Sequence, residues 1–333
     1  MSEPDEDRFD EFDWIEQDLK PLAEGAPEAL GLIDDAAVIP ARPGFDLVIS
    51  KDAIVEGVHF LPDDPLDLVA RKLLRVNLSD LAAKGAEPYG YFLAVAWPDK
   101  STRADRRAFT EGLKADQATF GLCLMGGDTV STPGPFTASL TILGWIPAGS
   151  LLRRNAARVG DVVLVSGTIG DGGLGLRAAQ GALPTLSDDD RSNLADRYRL
   201  PRPRLGLGPA LRDGAHASAD VSDGLIADAG RIAAASGVRL TIDLDRTPLS
   251  ASAKQWLDGQ PDRLAALIDL ATAGDDYEIV CTTPPGSVAA LSSAAALLGF
   301  ELTQIGVVTD GAGVRAVYRG AEAPIARAGY RHG

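Results

Sequence analysis

Carboxylates stand where this chain turns. Aspartate recurs at Ile33-Asp34-Asp35, Ser50-Lys51-Asp52, Ser79-Asp80, Gly126-Gly127-Asp128, Ala219-Asp220-Val221-Ser222-Asp223-Gly224 and Gly274-Asp275-Asp276-Tyr277-Glu278. Most of these close an apolar run or sit beside glycine, which is the pattern of strand ends and turns. Two like charges ~4 Å apart repel by about 4 kcal/mol at an effective dielectric of 20. A fold that gathers several of them must place positive charge among them, and a hard cation with oxygen ligands is the simplest choice. Taken singly, each cluster reads at least as well as an ordinary turn or helix cap. Six in one chain shift the balance toward cation binding.

The remaining composition narrows the partners. The chain has 333 residues, of which 45% are hydrophobic and 24% charged, as expected for a soluble globular protein of two domains. A formal charge of -15 and a pI near 4.6 argue against a nucleic-acid or anionic-membrane partner. Cys123 and Cys281 are far apart and in no metal-type spacing, which fits a reducing cytoplasm. The start, MSEPDEDRFDEFDW, is acidic without an apolar run, so it reads as no signal peptide and as frayed up to about Phe9. No run approaches ~18 apolar residues, so no membrane span is expected.

Periodicity supplies a coarse map. Phe12, Ile15, Leu19 and Leu22 recur at helical spacing. Leu47-Val48-Ile49 reads as a buried strand ending at a Ser-Lys-Asp turn. Helices are expected over 65–84 and 103–120, and strands over 89–97 and 136–146. A domain boundary falls near Pro147-Ala148-Gly149, dividing the chain into 1–148 and 149–333. Beyond it, a strand at 162–165 precedes a glycine-rich turn. Helices follow over 172–182, 190–198, 202–213, 224–236 and 286–298, with strands at 239–244, 277–282 and 313–318. Both halves mix strands and helices, giving an α/β or α+β layer structure. No internal repeat is evident.

Gly170-Asp171-Gly172-Gly173-Leu174-Gly175 satisfies G-x-G-x-x-G after a strand. A dinucleotide-binding unit also needs a second strand ending in an acidic residue about 20 residues later. The segment that follows is polar, Ala-rich and helical in character, so the motif reads as a tight strand-to-helix turn. There is no G-x-x-x-x-G-K-[ST] loop and no H-R-D or D-F-G signature. If phosphate is handled, cations must do much of the work. ATP carries about four negative charges and a phosphate monoester about two, while this chain has 47 acids against 32 bases. Carboxylate-held Mg²⁺ is the economical solution. Asn77 and Asp80 share a face of the expected helix, and Ser50 and Asp52 share a side of their strand.

The order of these motifs resembles the thiamine-monophosphate kinase family, of the superfamily that includes aminoimidazole ribonucleotide synthetase. The matching segments are Gly31 to Ala37, Asp52 to Phe60 (DAIVEGVHF), Val76 to Ala86 (VNLSDLAAKGA), Gly126 to Thr129, Gly167 to Gly175, Asp220 to Leu225 and Gly274 to Glu278. Together they cover essentially residues 12–331. The resemblance implies a two-domain PurM-like fold and a homodimer whose N-terminal sheets join into a barrel. ATP and several Mg²⁺ would lie between the domains. The implied reaction is direct in-line phosphorylation of thiamine monophosphate to thiamine diphosphate, without a phosphoenzyme. It further implies Asp35, Ser50, Asp52, Asp80, Asp128, Asp220 and Asp223 as metal ligands, with Asp35, Asp80 and Asp220 acting in catalysis through bound Mg²⁺. Gly127, Asp128, Ser222 and an arginine of Leu152-Arg153-Arg154-Asn155, Arg154 by position, would contact ATP. His59 and Asp275 would contact substrate, and Arg327 stands where an aromatic residue often does. Asp34 and Asp276 keep a plain turn reading.

Departures from the common family pattern are Ile33 for glycine, Lys51 for threonine, Asp275 for glutamate and Ala273 for glycine. Lys51 beside Asp52 could stand in for some cationic charge, or simply point to solvent. The competing readings are a purine-synthesis enzyme of the same superfamily, a non-catalytic nucleotide-binding homologue and a metal-dependent phosphatase. Selenophosphate synthetase would need an N-terminal reactive Cys, and the hydrogenase-maturation relative a C-terminal one; neither is present in this sequence.

Overall fold

The computed structural model describes residues 11–330, so the expected fraying up to about Phe9 lies outside the described residues. The chain divides into two compact units. One contains the described residues up to Leu78 together with Glu87–Gly149; the other contains Ser79–Ala86 and the residues from Ser150 onward.

In the first unit the amphipathic start is only briefly an α-helix. A turn α1 (Glu11–Trp14) passes into a π-helical segment Ile15–Leu19 and a 3₁₀ turn Lys20–Ala23. The strand β1 spans Phe45–Val55, followed by α2 (Leu66–Lys84), β2 (Glu87–Pro98), α3 (Arg103–Phe120), β3 (Leu124–Thr132) and β4 (Thr137–Pro147). Helix α3 shows why such segments form. The Thr102 hydroxyl accepts from the Asp105 N–H at 3.2 Å, and the Asp105 carboxylate accepts from the Thr102 N–H at 2.8 Å. This reciprocal cap contributes about 1 kcal/mol, and Gly121 at φ +68° ends the helix. Its Phe109 joins Trp14, Trp97 and Phe136 in an edge-to-face cluster, with Trp97 and Phe136 4.9 Å apart.

The sheet order is β1-β4-β2-β3, with β2 and β3 parallel across α3. Two expected turns are therefore strand interior. Ser50-Lys51-Asp52 sits mid-strand, opposite Ile142, Thr141 and Leu140. Gly126-Gly127-Asp128 lies within β3, which the sequence reading lacked. Both are edge strands, and an edge strand tolerates glycine and charge that a central one would not.

The second unit holds a seven-stranded sheet. Its elements are β5 (Val162–Ser166), α4 (Asp171–Ala179), α5 (Asp188–Arg199), α6 (Gly208–Gly214), β6 (Ala217–Val221), α7 (Leu225–Ser236), β7 (Arg239–Asp243), α8 (Ala251–Asp258), α9 (Arg263–Thr272), β8 (Glu278–Thr283), α10 (Val288–Leu297), β9 (Leu302–Thr309), β10 (Gly313–Tyr318) and β11 (Ala321–Glu322). Strand order is β11-β10-β7-β9-β5-β8-β6. Along β5, Val163 and Val165 enter one apolar cluster while Val162 and Leu164 enter another. The β5, β6 and β8 part of the sheet is thus covered on both faces, which accounts for the unbroken apolar run of β5, whereas β7 alternates buried and half-buried residues. The second cluster includes Ala82 and Ala83 from the last turns of α2. Those alanines tie Ser79–Ala86 to this unit, an excursion that a linear division at 148/149 does not contain.

The glycine-rich turn after β5 is a helix start, as its context implied. Gly170 at φ +88° precedes α4. The Asp276 carboxylate accepts the Gly170 and Gly172 N–H groups at 2.8 and 2.9 Å. A carboxylate of the chain itself fills the anion position that such a helix start offers. Asp276 is therefore no plain turn residue: it is buried, and burial pushes its carboxyl well above the usual range.

Candidate active site

In the first unit the proposed ligands separate onto opposite sheet edges. Asp52, Leu140, Leu93 and Gly127 lie in one row across the four strands. Three strand spacings put the β1 and β3 ends of that row about 14 Å apart. Alternation points Ser50 and Asp52 to the face that carries the buried Ile54, Leu140 and Leu93. Asp128 falls on the other face with Ala94 and Ser139. Lys51 also faces that way and donates to the Thr141 hydroxyl at 3.3 Å. It is exposed in the single chain and on the opposite side of its strand from Asp52, so the geometry does not turn its charge toward that carboxylate.

Asp35 and Asp128 line a common cavity of about 350 Å³. Its apolar wall includes Trp14, Leu32, Phe92 and Met125, and its polar rim Asp34, Gly127 and Thr129. The Asp34 carboxylate accepts the Asp35 N–H at 2.8 Å, in keeping with its turn reading. Gly127 must lack a side chain, since a Cβ there would meet the Leu93 carbonyl oxygen at 1.9 Å. The Thr129 hydroxyl is buried without a partner. His59 is oriented by its own loop: its Nδ1 accepts the Val55 N–H at 3.1 Å, and Lys72 donates to its carbonyl at 2.9 Å. With Nδ1 an acceptor, the neutral ring carries its proton on Nε2.

The second unit brings several separate segments together. Ser79 of α2 donates to Asp220 of β6 at 3.2 Å. Asp220 is buried; desolvation first, then the charges of Asp80 and Asp228, push its carboxyl up to about 8. Arg154 and Lys84 act on it in the opposite direction. The Arg154 Nε is buried without a partner, whereas Arg153 is exposed and its carbonyl accepts the Ser218 N–H at 3.2 Å. Arg154 is thus the arginine aimed at the carboxylates.

Downstream, the Ser222 and Asp223 N–H groups both donate to Asp228 at 3.0 Å. Arg231 bridges Asp228 and Asp223, so Asp223 is ion-paired. The Asp275 N–H donates to the Ser222 carbonyl at 2.9 Å, and the Tyr330 N–H to that of Asp223 at 2.9 Å. Asp275 and Tyr277 have φ +68° and +50°, conformations that cost of order 1–3 kcal/mol each. The backbone bonds from Asp275 and Tyr277 to the end of β6 hold them there. Arg327 is exposed and donates from Nε to the Gly329 carbonyl at 3.0 Å.

Among the described residues no three His, Cys, Asp or Glu side chains gather as a metal cage. The donors present nonetheless suit Mg²⁺, which uses one or two carboxylates and completes its shell with water and phosphate oxygens. The Asp80–Asp220 pair fits that demand, as a divalent ion would favour the ionised form of both carboxyls. Sequence reasoning missed Asp228 and Arg231, which organise the Ser222–Asp223 turn, and Lys84, which donates to the Ser218 carbonyl at 2.8 Å. Lys84 left a signal in its i,i+4 spacing from Asp80, and Asp228 and Arg231 left one in their i,i+3 spacing on α7.

Comparison with known proteins identifies the family. Residues 33–146 match the family "AIR synthase related protein, N-terminal domain", and residues 158–319 its C-terminal counterpart. The chain is 54% identical over 323 residues to the thiamine-monophosphate kinase of Caulobacter vibrioides, covering 97% of this chain and 91% of that one. The crystal structure of thiamine-monophosphate kinase from Stenotrophomonas maltophilia K279a is 38% identical with a TM-score of 0.83, covering 94% and 98% of the two chains. AaThiL complexed with AMPPCP and TMP is 27% identical with a TM-score of 0.77, over the same shares. With both domains matched in order and the α/β two-domain PurM-like fold in common, the chain belongs to the thiamine-monophosphate kinase family of AIR synthase related proteins.

Proposed function

We propose that this protein transfers the γ-phosphoryl group of ATP to thiamine monophosphate, giving thiamine diphosphate and ADP. The observation that carries this reading is the 54% identity to the Caulobacter vibrioides kinase along 97% of the chain. A relative of the same fold complexed with AMPPCP and TMP supports it.

A terminal phosphate oxygen of thiamine monophosphate attacks the γ-phosphorus in line, and the bond to the β,γ-bridging oxygen breaks. The attacking oxygen belongs to a monoester whose second pKa is about 6, so at neutral pH it needs little help from a base. The problem is to bring two polyanions together, which positioning and charge neutralisation solve. Arg154 offers a guanidinium whose Nε is buried without a protein partner, suited to phosphate oxygen. Gly127 and Asp128 offer an edge strand where backbone can approach a nucleotide closely. Ser222 is held by Asp228 for the same nucleotide, and the Nε2 proton of His59 and the Asp275 carboxylate are assigned to substrate. Mg²⁺, when bound by Asp35, Ser50, Asp52, Asp80, Asp128, Asp220 or Asp223, supplies charge neutralisation and orientation of phosphate oxygens. Arg327 keeps a place on the substrate side by position alone. Both cysteines lie outside disulfides, consistent with a cytoplasmic enzyme, and no helix of the described residues is long and apolar enough to cross a membrane.

A homodimer belongs to the same proposal. Asp52 and Asp128 lie about 14 Å apart across the sheet and on opposite faces, too far to serve one ion with Mg–O bonds of about 2.1 Å. Ile49 and Val130, 59% and 52% exposed, are apolar residues on the face that Asp128 shares, which a second copy would cover. If each site draws Asp52 from one subunit and Asp128 from the other, Asp52→Asn and Asp128→Asn are each inactive alone. A 1:1 coexpressed mixture then recovers about a quarter of the parent activity, because half the dimers are mixed and each has one intact site. Absence of recovery rules out the shared site.

The activity itself is read from products. Incubation with ATP, Mg²⁺ and thiamine monophosphate is expected to yield thiamine diphosphate and ADP in equal amounts. Free phosphate alone would assign a hydrolase, turnover of a purine precursor instead would assign the purine-synthesis type, and no turnover a nucleotide-binding protein.

A further inference from the structure

Lys84 has no part in the assignments above, yet it sits where a cation matters. It is the last residue of α2, one helical turn after Asp80. Its ammonium donates to the Ser218 carbonyl at 2.8 Å, two residues before Asp220 on β6, where side chains 218 and 220 share a face. Ser79, on the same turn of α2, donates to the Asp220 carboxylate. Asp80, Asp220, Lys84 and Arg154 thus form a quartet of two negative and two positive groups, all within the second unit.

We propose that Lys84 is a built-in cation for the Asp80–Asp220 pair, one that supports the metal-free protein and competes with the divalent ion the pair is assigned to hold. The inference rests on the kinase reading only for that divalent ion. A fixed ammonium beside the pair favours the ionised form of its carboxyls and offsets their repulsion once both are ionised, and the same ammonium repels an arriving Mg²⁺. Burial lowers the lysine to about 8, with Arg154 acting in the same direction and Asp220 and Asp80 opposing it. Lys84 is therefore a positioning residue whose charge sets how strongly the pair takes a metal.

Two variants separate the charge from the tether. Lys84→Gln keeps a donor for the Ser218 carbonyl without charge, and Lys84→Met keeps only the stem. Lys84→Arg keeps the charge and serves as the rescue. Mg²⁺ binding is measured by calorimetry on the full-length protein without nucleotide, beside thermal melts in EDTA and in saturating Mg²⁺. Both neutral variants are expected to bind Mg²⁺ about tenfold more tightly than the parent. Both should melt lower in EDTA, with the deficit shrinking in Mg²⁺, while Lys84→Arg tracks the parent. Unchanged affinity with equal melting losses in the two buffers would show a mere tether and overturn the proposal. Absence of Mg²⁺ binding in parent and variants alike also overturns it, whatever the product assay gives, whereas a tenfold shift in a protein that forms no thiamine diphosphate sustains it and overturns only the kinase reading.

Discussion

Asp220→Asn is expected to lower kcat by about 10²–10³-fold while making the metal-free protein less sensitive to alkali. The first half follows from the role proposed for Asp220 in holding a divalent ion at the transferring phosphate. The second follows from burial. Asp220 has its carboxyl raised to about 8, chiefly by desolvation and by Asp80. A carboxyl with a raised folded pKa contributes stability below its unfolded value near 3.9, and that stability is lost as pH rises through about 8. In EDTA the parent should therefore lose stability on the order of a few kcal/mol between pH 5 and pH 8.5 through this group. Asparagine does not titrate, and its carbonyl oxygen can still accept the Ser79 hydroxyl. Melting curves in EDTA across that pH range should fall more steeply for the parent than for the variant. A variant that keeps full activity, or whose melting temperature falls with pH as steeply as the parent's, would sink this account. The same comparison in Mg²⁺ should narrow the difference, because a divalent ion restores the ionised form at lower pH.

How far these sites could be read from sequence depended on what kept each residue in place. Helix α3 was visible because one face is buried, so apolar residues recur at helical spacing, and α2, although buried nearly all round, still places Leu66, Val69, Leu73, Val76 and Leu81 on one side. Strand β3 was hidden, since Gly126, Gly127 and Asp128 carry the composition of a turn. Their strand conformation comes from parallel pairing with β2, a tertiary effect that local pattern does not encode. The same holds for β6, which the local pattern does not show: Asp220, expected at a strand end or turn, is buried next to the strand's last residue. Helices α8 and α9 were missed because each is too short for a sustained period, although Ser250, Gly259 and Asp262 mark their ends, and β9 because Gln304 and Gly306 interrupt its apolar pattern. The candidate site divides in a similar way. Motif order pointed to most of its acids, but Asp228 and Arg231 act through contacts with the Ser222–Asp223 turn that no spacing reveals. Asp276 shows the converse: an acid inside a functional motif whose visible task is to hold the start of α4.

Glu278 belongs to that last class, and its replacement carries the largest expected loss of stability. Its side chain is fully buried at the start of β8. One carboxylate oxygen accepts from Arg197 at 3.0 Å and Arg204 at 2.5 Å, and the other from Arg204 at 2.7 Å and the Ser166 hydroxyl at 2.6 Å. Ser166 in turn accepts the Ile279 N–H at 2.8 Å, so the network fixes β5 against β8. Gly167 completes the fit, since a Cβ there would lie 2.3 Å from the carboxylate. Glu278→Ala removes the only anion this network shows between two guanidinium groups whose side chains are 9% and 16% exposed. Breaking a buried pair by deleting one partner costs about 3–5 kcal/mol, far more than a surface pair, because the remaining charges stay buried without compensation. At about 2–4 °C per kcal/mol for a domain of this size, the melting transition should fall by roughly 10 °C. Glu278→Gln retains the shape and one acceptor oxygen, so it should fall by less. Thermal melts of the parent and the two variants in the same buffer test the ordering. If Glu278→Ala melted within a degree of the parent, the buried carboxylate could not be the anchor of this sheet, and the restraint on the Asp275 loop that precedes it would have to come from the backbone bonds to β6 alone.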